Sequence, residues 1–239
     1  MQVTDATAVL VENCVFDGRM NYVNSITGWR ARDVTIRNNV FISHHSGILF
    51  ADCRGTMRIE RNTMVGPTIN KIYAVRNERV VLRNNLFDEN LFPKKIKQYR
   101  VVAVANSALE MDHNFYGVDP KNNERRLVDY GTPKVDLLTA EALPETSKDT
   151  QRFAVAGDLG VWQKKFGQEI HGLVGDPGWA NAKAIKSLCD RSRDWPNRFH
   201  VYPPVSPRDF SLKPDSPCRK AGESGRDIGA DLFATAAAP

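Results

Sequence analysis

The sequence predicts an all-β solenoid in which similar coils stack on one another. Three observations predict it: similar segments recur along the first half of the chain, their apolar residues alternate with a period of two, and an asparagine or cysteine follows at a constant distance. A repeat of roughly 20–50 residues is typical of solenoids, because a single coil cannot bury its own apolar face. Stacking of the coils therefore supplies the core.

The repeat has five copies. They read VLVENCVF, VTIRNNVF, MRIERNTM, VVLRNNLF and LEMDHNFY, and they begin at residues 9, 34, 57, 80 and 109. Successive starts are 25, 23, 23 and 29 residues apart. The longest spacing contains FPKKIKQY at 92–99, which we interpret as a basic loop that projects from the stack. We therefore expect about five coils over residues 1–118.

Two apolar columns define one strand in each coil. A period of two places alternate side chains on the same, inward face of a strand. A second apolar run, as in ILFA at 48–51 and IYAV at 72–75, follows about 14 residues later and predicts a second strand, because it is short and rich in β-branched residues. The two inward columns are Val9, Val34, Met57, Val80 and Leu109, then Val11, Ile36, Ile59, Leu82 and Met111.

A turn with an amide column follows the first strand. Asparagine tolerates the left-handed backbone of a tight turn, and its amide can bond to the asparagine of the next coil. We therefore predict a buried asparagine ladder, followed by a column of large apolar side chains that fills the interior. The ladder column holds Cys14, Asn39, Asn62, Asn85 and Asn114, and the next column holds Phe16, Phe41, Met64, Phe87 and Tyr116.

A leucine-rich repeat is an alternative explanation of the same pattern. The spacing apolar-x-apolar-x-x-Asn/Cys is also the core of that repeat. A leucine-rich repeat needs another apolar residue three positions before the first column, and a helix or extended turn on the return path. The chain has a second strand there, and the required positions hold Ala6, Ala31, Arg54, Asn77 and Asn106.

Bulk properties limit the function classes. The 239 residues carry a net charge of +5, and the positive charges are scattered. We interpret them as a solvated surface and predict no nucleic-acid partner. No run of 18 apolar residues suggests a membrane span, and no secretory signal is visible at Met1. The four cysteines, which fit either two disulfides or free thiols, are Cys14, Cys53, Cys189 and Cys218.

The second half of the chain leaves the repeat. We predict an excursion over 119–180, with an exposed loop at 119–134 and a helix at 135–143. A short helix is predicted at 158–167, with Asp158 as its N-cap and Gly167 at its end. A closing segment over 181–239 completes the chain. The apolar face of the short helix holds Leu159, Trp162 and Phe166.

The closing motifs carry a resemblance to a known family. The stretches HGLVGDPGW (171–179), DFSLKPDSPCRKAG (209–222) and DIGAD (227–231) resemble the end of many bacterial β-helix proteins. Together with the strands, the Asn-rich turn and the aromatic column, they are similar to the right-handed parallel β-helix of the pectate-lyase-like superfamily. The resemblance covers nearly all of the chain except about 119–157, and it implies that the closing segment covers the last coil.

The resemblance also implies a function. Members of the superfamily mostly bind or cut polysaccharides outside the cytoplasm, and a lyase of this type often uses Ca²⁺. We therefore expect an extracellular or periplasmic protein with a polysaccharide or oligosaccharide partner. It would be a lyase, a glycoside hydrolase, or a non-catalytic glycan-binding or structural module. Family members usually have more coils and an N-terminal cap, so we expect missing upstream coils or self-association through the first coil.

The candidate site residues surround the stretch SHHSGILFADCR. The motif sets of polygalacturonases and pectate lyases are absent from the sequence. We predict that Asp52 and Arg76, which share a column, act with Lys71 and His45 in catalysis, while His44, Arg54 and Tyr73 bind substrate. The alternative interpretation is a surface salt bridge beside solvated histidines. His113 and His171 are interpreted as structural, and no metal ligands are predicted.

Overall fold

The computed structural model describes residues 1–18, 24–42, 46–66, 70–88, 100–105, 108–118, 126–131, 150–154, 159–190 and 204–232. Within these ranges the chain forms a parallel β-helix with three sheets, which confirms the predicted fold class. Each full coil contributes one strand to each sheet, in the order first, second and third.

The strands are numbered along the chain. The first sheet contains β1 (Gln2–Thr4), β4 (Ile26–Trp29), β7 (Ser46–Ala51), β10 (Asn70–Val75), β13 (Arg100–Ala105), β16 (Arg126–Gly131) and β17 (Thr150–Ala154). The second contains β2 (Thr7–Glu12), β5 (Arg32–Arg37), β8 (Arg54–Glu60), β11 (Arg79–Arg83) and β14 (Ala108–Asp112). The third contains β3 (Val15–Asp17), β6 (Val40–Ile42), β9 (Thr63–Val65), β12 (Leu86–Asp88), β15 (Phe115–Gly117) and β18 (Leu173–Gly175).

The register of the strands confirms the predicted columns. Val9 pairs with Val34, Val34 with Met57, and the series continues to Leu109. The strands pair in parallel, and β16 with β17 is the antiparallel exception. The sequence analysis predicted two strands in each coil, whereas the structure has three. The third strand holds the aromatic column, which we had interpreted only as packing after the turn.

The inward columns form one continuous core. Phe16 and Phe41 stack with ring centroids 4.9 Å apart, and Phe87 lies 5.4 Å from Tyr116. Gly28 is required in this core, because a Cβ there would lie 2.0 Å from the ring of Phe50. The predicted interior of stacked coils is therefore confirmed.

The asparagine ladder is present and fully buried. The Nδ2 atom of Asn39 donates to Asn62 Oδ1 at 3.0 Å, Asn62 to Asn85 at 3.0 Å, and Asn85 to Asn114 at 2.9 Å. The second hydrogen of each amide bonds a carbonyl of the preceding coil, as in Asn62 to Ile36 O at 2.9 Å. Each amide therefore satisfies buried polar groups that would otherwise destabilise the fold.

The left-handed backbone lies one residue before the ladder, and not on it as predicted. The turn residue takes the positive φ, and the ladder residue after it can point its amide inward. Side chains of mixed type occupy this turn column, and Asn38 and Asn84 within it are buried where the closing segment donates hydrogen bonds to them. The residues with φ between 54° and 58° are Asn13, Asn38, Arg61, Asn84 and His113.

A helix packs over the end of the core. Helix α1 (Leu159–Phe166) confirms the predicted short helix, and Gly167 follows it with a φ of +61°. Trp162 is fully buried in the main core, with Leu159 and Phe166 packed against it. The predicted cap Asp158 and the predicted helix at 135–143 lie outside the described residues. Part of the stretch 119–134, which we expected to be a loop, forms strand β16.

The closing segment packs along the side of the stack. The backbone N–H groups of Glu223, Ala230 and Asp231 donate to the side chains of three successive coils, Asn84, Thr63 and Asn38, at 2.8, 2.8 and 2.6 Å. The described part of this segment, which contains helix α2 (Ala182–Asp190), buries the outer face of the third sheet in a second apolar cluster that includes Val40, Leu86, Trp179, Ile185, Phe210 and Ile228. That the segment covers the last coil stays a prediction.

Two further expectations can be compared with the structure. The return path of each coil consists of strands, so the leucine-rich horseshoe does not describe this chain. Cys14, Cys53 and Cys218 are free thiols, and burial raises the pKa of Cys53 to about 11 and that of Cys218 to about 12. These three cysteines therefore fit the free-thiol alternative.

Candidate metal centre

The predicted pair Asp52 and Arg76 lies in a charged column on the turn between the first and second sheets. Arg76 donates to both carboxylate oxygens of Asp52, at 2.7 and 2.9 Å. Arg30 makes the same paired contact with Asp5, at 2.7 Å for each bond. The hydrogen bond from Arg76 lowers the pKa of Asp52 despite partial burial of the carboxyl. The predicted neighbours are therefore confirmed as neighbours, in an alternating ladder of charges that neutralise each other.

The described members of the remaining predicted set differ in their exposure. Lys71 is fully buried, and its Nζ atom donates to the Gly66 carbonyl at 3.1 Å. Tyr73 is also buried, while Arg54 is exposed. His44 and His45 lie outside the described residues. The catalytic and substrate-binding roles of this set stay predictions.

A second alternating column crosses the outer face of the second sheet. It ends at Asp112, the last residue of β14, which directly precedes the turn into β15. Carboxylates and arginines alternate along the column, so adjacent coils place opposite charges side by side. The column runs through Glu12, Arg37, Glu60, Arg83 and Asp112.

Two histidines stack on the turn that follows Asp112. His113 has a φ of 56° and occupies the turn column. Strand β18 pairs with β15 so that Leu173 is level with Phe115, which places His171 level with His113. The two imidazole rings lie 4.4 Å apart with an angle of 20° between their planes. Adjacent coils therefore bring together two histidines that are far apart in the sequence.

The Asp112 carboxylate faces both histidines. Its Oδ2 atom lies 2.9 Å from His171 Nδ1 and 3.3 Å from His113 Nδ1. Its Oδ1 atom accepts the backbone N–H groups of His171 and His113, at 2.8 and 2.9 Å. Partial burial opposes ionisation of Asp112, but these hydrogen bonds, with His171 contributing most, outweigh burial and lower its pKa. The geometry therefore favours an ionised carboxylate beside the two stacked imidazoles.

The three side chains form a donor set that fits a metal ion. Asp112, His113 and His171 each offer one ligand atom, and these atoms all lie within 4.8 Å of one another. Two ligands bound to one ion at about 2.0 Å are about 2.8–3.3 Å apart in square-planar or tetrahedral geometry. The two separations from Oδ2 to Nδ1 lie in that range. We call this group, Asp112, His113 and His171, the His–Asp centre.

Solvent reaches the His–Asp centre from the side of His171. The side chain of His171 is 61% exposed, against 27% for Asp112 and 19% for His113. An ion can therefore enter without displacement of the core, while two of its three ligands are held by the stack. Such a half-exposed arrangement leaves a position open for water or another ligand.

A buried glutamate lies behind the centre and continues the asparagine ladder. Glu169 accepts hydrogen bonds from Asn114 Nδ2 and from the Tyr116 hydroxyl, each at 2.6 Å. Complete burial raises the pKa of Glu169 to about 7, although the bonds from Tyr116 and Asn114 oppose the shift. Gly172, which is level with Asn114, leaves room for the Glu169 carboxyl group. A Cβ atom at position 172 would lie 2.6 Å from Glu169 Oε2 and would clash with it.

The sequence analysis missed the His–Asp centre. It interpreted both His113 and His171 as structural, whereas His171 is exposed and stacks on His113 beside Asp112. One signal could have found the site. IHGLV at 170–174 aligns with DHNFY at 112–116 as a further copy of the repeat, which places the two histidines in one column.

A comparison with protein families gave one match. A family model described as "NosD: Periplasmic copper-binding protein (NosD)" matches residues 2–109. The match covers most of the coils and less than half of the chain, and it stops just before Asp112. The matched residues form strands β1 to β13 and part of β14 of the parallel β-helix. Searches of curated proteins and of solved structures gave no match. Among the described residues, no helix is long and apolar enough to cross a membrane.

Proposed function

We propose that this chain is a non-catalytic periplasmic binding module that holds a copper ion at the His–Asp centre. The observation that carries the proposal is the Asp112 carboxylate, with the Nδ1 atoms of His171 and His113 at 2.9 and 3.3 Å from one oxygen. The printed description of the matched family, a periplasmic copper-binding protein, supports the choice of metal and compartment.

The donor set favours Cu(II) over Cu(I). Two imidazole nitrogens and a carboxylate oxygen suit Cu(II), whereas Cu(I) prefers thiolate and thioether sulfur. The His–Asp centre has no sulfur ligand. Cu(II) also binds most N and O sites more tightly than Zn²⁺. We therefore expect the order of affinity Cu(II), then Zn²⁺, with Cu(I) weakest.

The surroundings of the predicted catalytic residues support a non-catalytic role. Asp52 and Arg76 neutralise each other on the turn, and Lys71 is buried with its ammonium group on a carbonyl. A general acid or base must reach a substrate and must change its protonation near neutral pH. A carboxylate held by a bidentate arginine is poorly suited to that task.

Metal titration of the purified chain tests the proposed function. We expect the metal-free chain to bind one equivalent of Cu(II), measured by calorimetry and by the copper d–d absorption. His171→Ala should weaken binding at least 100-fold, because it removes the most accessible ligand. Asp52→Asn is the matched control, since it alters an ion-paired turn carboxylate away from the centre, and it should bind as the wild type does. Equal binding by His171→Ala and the wild type would overturn the proposal.

Glycan binding is the second candidate function. The outer face of the second sheet presents exposed alternating charges on neighbouring coils, as at Glu12 and Arg37, whose side chains are 2.7 Å apart. Such a flat polar strip can donate to and accept from sugar hydroxyls. The pectate-lyase-like relationship and a Ca²⁺ requirement belong to this candidate. A panel of acidic and neutral polysaccharides, with and without Ca²⁺, tests for binding, unsaturated products and new reducing ends.

A further inference from the structure

The last coil closes beside the His–Asp centre. Among the described residues, β16 and β17 in the first sheet follow β15, and the next strand of the third sheet is β18, which begins at Leu173. The residues that return, 168–175, which we call the return segment, lie against the turn between β14 and β15. The contacts between these two stretches therefore decide whether the last coil is closed.

Hydrogen bonds attach the return segment to that turn. Glu169 N donates to the Met111 carbonyl at 2.6 Å, and Leu173 N donates to the Asn114 carbonyl at 2.9 Å. His171 N donates to Asp112 Oδ1 at 2.8 Å. The attachment is local, because its hydrogen bonds join residues 169–173 to residues 111–114.

Helix α1 depends on the same attachment. The Nε2 atom of Gln163 donates to the Glu169 carbonyl at 2.6 Å, which joins the helix to the return segment. The same helix carries Trp162, which is fully buried against the end of the main core. Movement of the return segment away from the stack would therefore also disturb the contact that covers the core.

The three ligands of the His–Asp centre are divided between the stack and the return segment. Asp112 and His113 belong to the stack, whereas His171 belongs to the return segment, 59 residues after Asp112. A link between such distant positions removes conformational freedom mainly from the open state, so it favours the closed state.

We infer that metal binding at the His–Asp centre latches the return segment and helix α1 onto the end of the stack. The inference rests on the proposed function, because it needs an ion held by Asp112, His113 and His171. It goes beyond that function, because it makes the closure of the last coil depend on metal occupancy. The regulated element is the segment from Leu159 to Gly175.

Hydrogen exchange on the intact chain tests the latch. The chain is compared without metal and with two equivalents of Zn²⁺ or Cu(II), and exchange is followed by mass spectrometry. We expect exchange in peptides from 159–175 to slow at least tenfold with metal. Peptides from β5 and β8, in the middle of the stack, should not change and act as an internal control. In Asp52→Asn the effect of metal should persist.

Calorimetry on the same samples separates failure of the latch from failure of the proposed function. If one equivalent binds and exchange over 159–175 does not change, the latch is overturned while the metal site stands. If neither metal binds, the proposed function and the latch fall together. His113→Ala gives a second variant, because it removes a ligand on the stack and leaves the sequence of the return segment unchanged. It should abolish the slowing by metal.

Discussion

Two turns of this β-helix place a carboxylate beside cationic or basic side chains, and they differ in what those partners can do. At the first, Asp52 is held by Arg76 through two short hydrogen bonds. At the second, Asp112 is held by His171 and His113 through their Nδ1 atoms. A guanidinium is always protonated and has no lone pair for a metal, whereas a neutral imidazole has one. A carboxylate beside arginine therefore forms a closed ion pair at one turn, whereas a carboxylate beside two histidines forms a candidate metal centre at the other.

The residues behind the two turns also differ. Behind Asp52 lies Cys53, whose backbone N–H donates to Asn77 Oδ1 at 2.9 Å. Behind Asp112 lies the pair Asn114 and Glu169, where a carboxyl group takes the place of the next ladder amide. The buried group behind the second turn is therefore the carboxyl of Glu169, whereas the groups behind the first turn are a thiol and an amide.

The largest expected effect concerns this buried carboxyl. Glu169 has a pKa of about 7 in the folded chain, against 4.5 for an ordinary glutamate, because of its burial. A raised pKa means that the folded chain holds the proton more tightly. The resulting stabilisation is complete below about pH 4.5 and is lost as the pH rises through about 7. Glu169→Gln should remove about 3 kcal/mol of pH-dependent stability.

Urea unfolding of the metal-free chain at pH 5 and pH 8 measures that loss. The wild type should lose more stability than Glu169→Gln between the two pH values. The same pH dependence in both proteins would show that another group is responsible.

The next largest effect is expected when an arginine replaces a histidine beside Asp112, as Arg76 lies beside Asp52. In His171→Arg, a guanidinium would pair with Asp112 and would remove a metal ligand. We expect Cu(II) affinity to fall at least 100-fold, about 2.8 kcal/mol, while the midpoint of thermal unfolding of the metal-free chain stays close to that of the wild type. Tight copper binding by this variant would contradict the comparison.

A smaller effect is expected from Asp112→Asn. The amide keeps an oxygen near both imidazoles but loses the negative charge, so metal affinity should fall about tenfold, or about 1.4 kcal/mol. Titration at constant ionic strength measures it. A loss as large as that of His171→Arg would mean that charge, more than the number of imidazoles, holds the ion.

The smallest effect is expected at the first turn. Asp52→Asn breaks a partly exposed ion pair, with Asp52 42% exposed, and such pairs contribute about 0–1 kcal/mol. Unfolding in urea should show a change within that range, with copper affinity unchanged. A loss of several kcal/mol would mean that the alternating column Asp5, Arg30, Asp52 and Arg76 acts as a unit.

Much of the coil interior could be predicted from the sequence. Asn39, Asn62 and Asn85 recur at nearly constant spacing, and stacking of equal coils turns equal spacing into spatial contact. Asp52 and Arg76 were predicted as neighbours for the same reason. The third strand was missed because it spans three residues, too few to show a clear period of two.

The outer parts of the molecule could not be predicted in the same way. The closing segment contains bend and turn residues with no repeat, so its residues do not indicate which face they cover. Its path along Asn84, Thr63 and Asn38 depends on hydrogen bonds between residues 139 to 193 positions apart in the sequence. His171 and Glu169 likewise reach the stack a long way after Asp112 in the sequence, and the sign of the contact in the sequence is the short match of IHGLV at 170–174 with DHNFY at 112–116.

The sequence by itself determined the repeat, the inward columns and the asparagine ladder, because each depends on a period that stacking reproduces in every coil. The tertiary structure alone decided which histidines meet Asp112 and which carboxyl closes the ladder. The physical reason is that a returning chain can dock wherever its hydrogen bonds and apolar surface fit. That choice depends on the shape of the completed stack and not on local spacing.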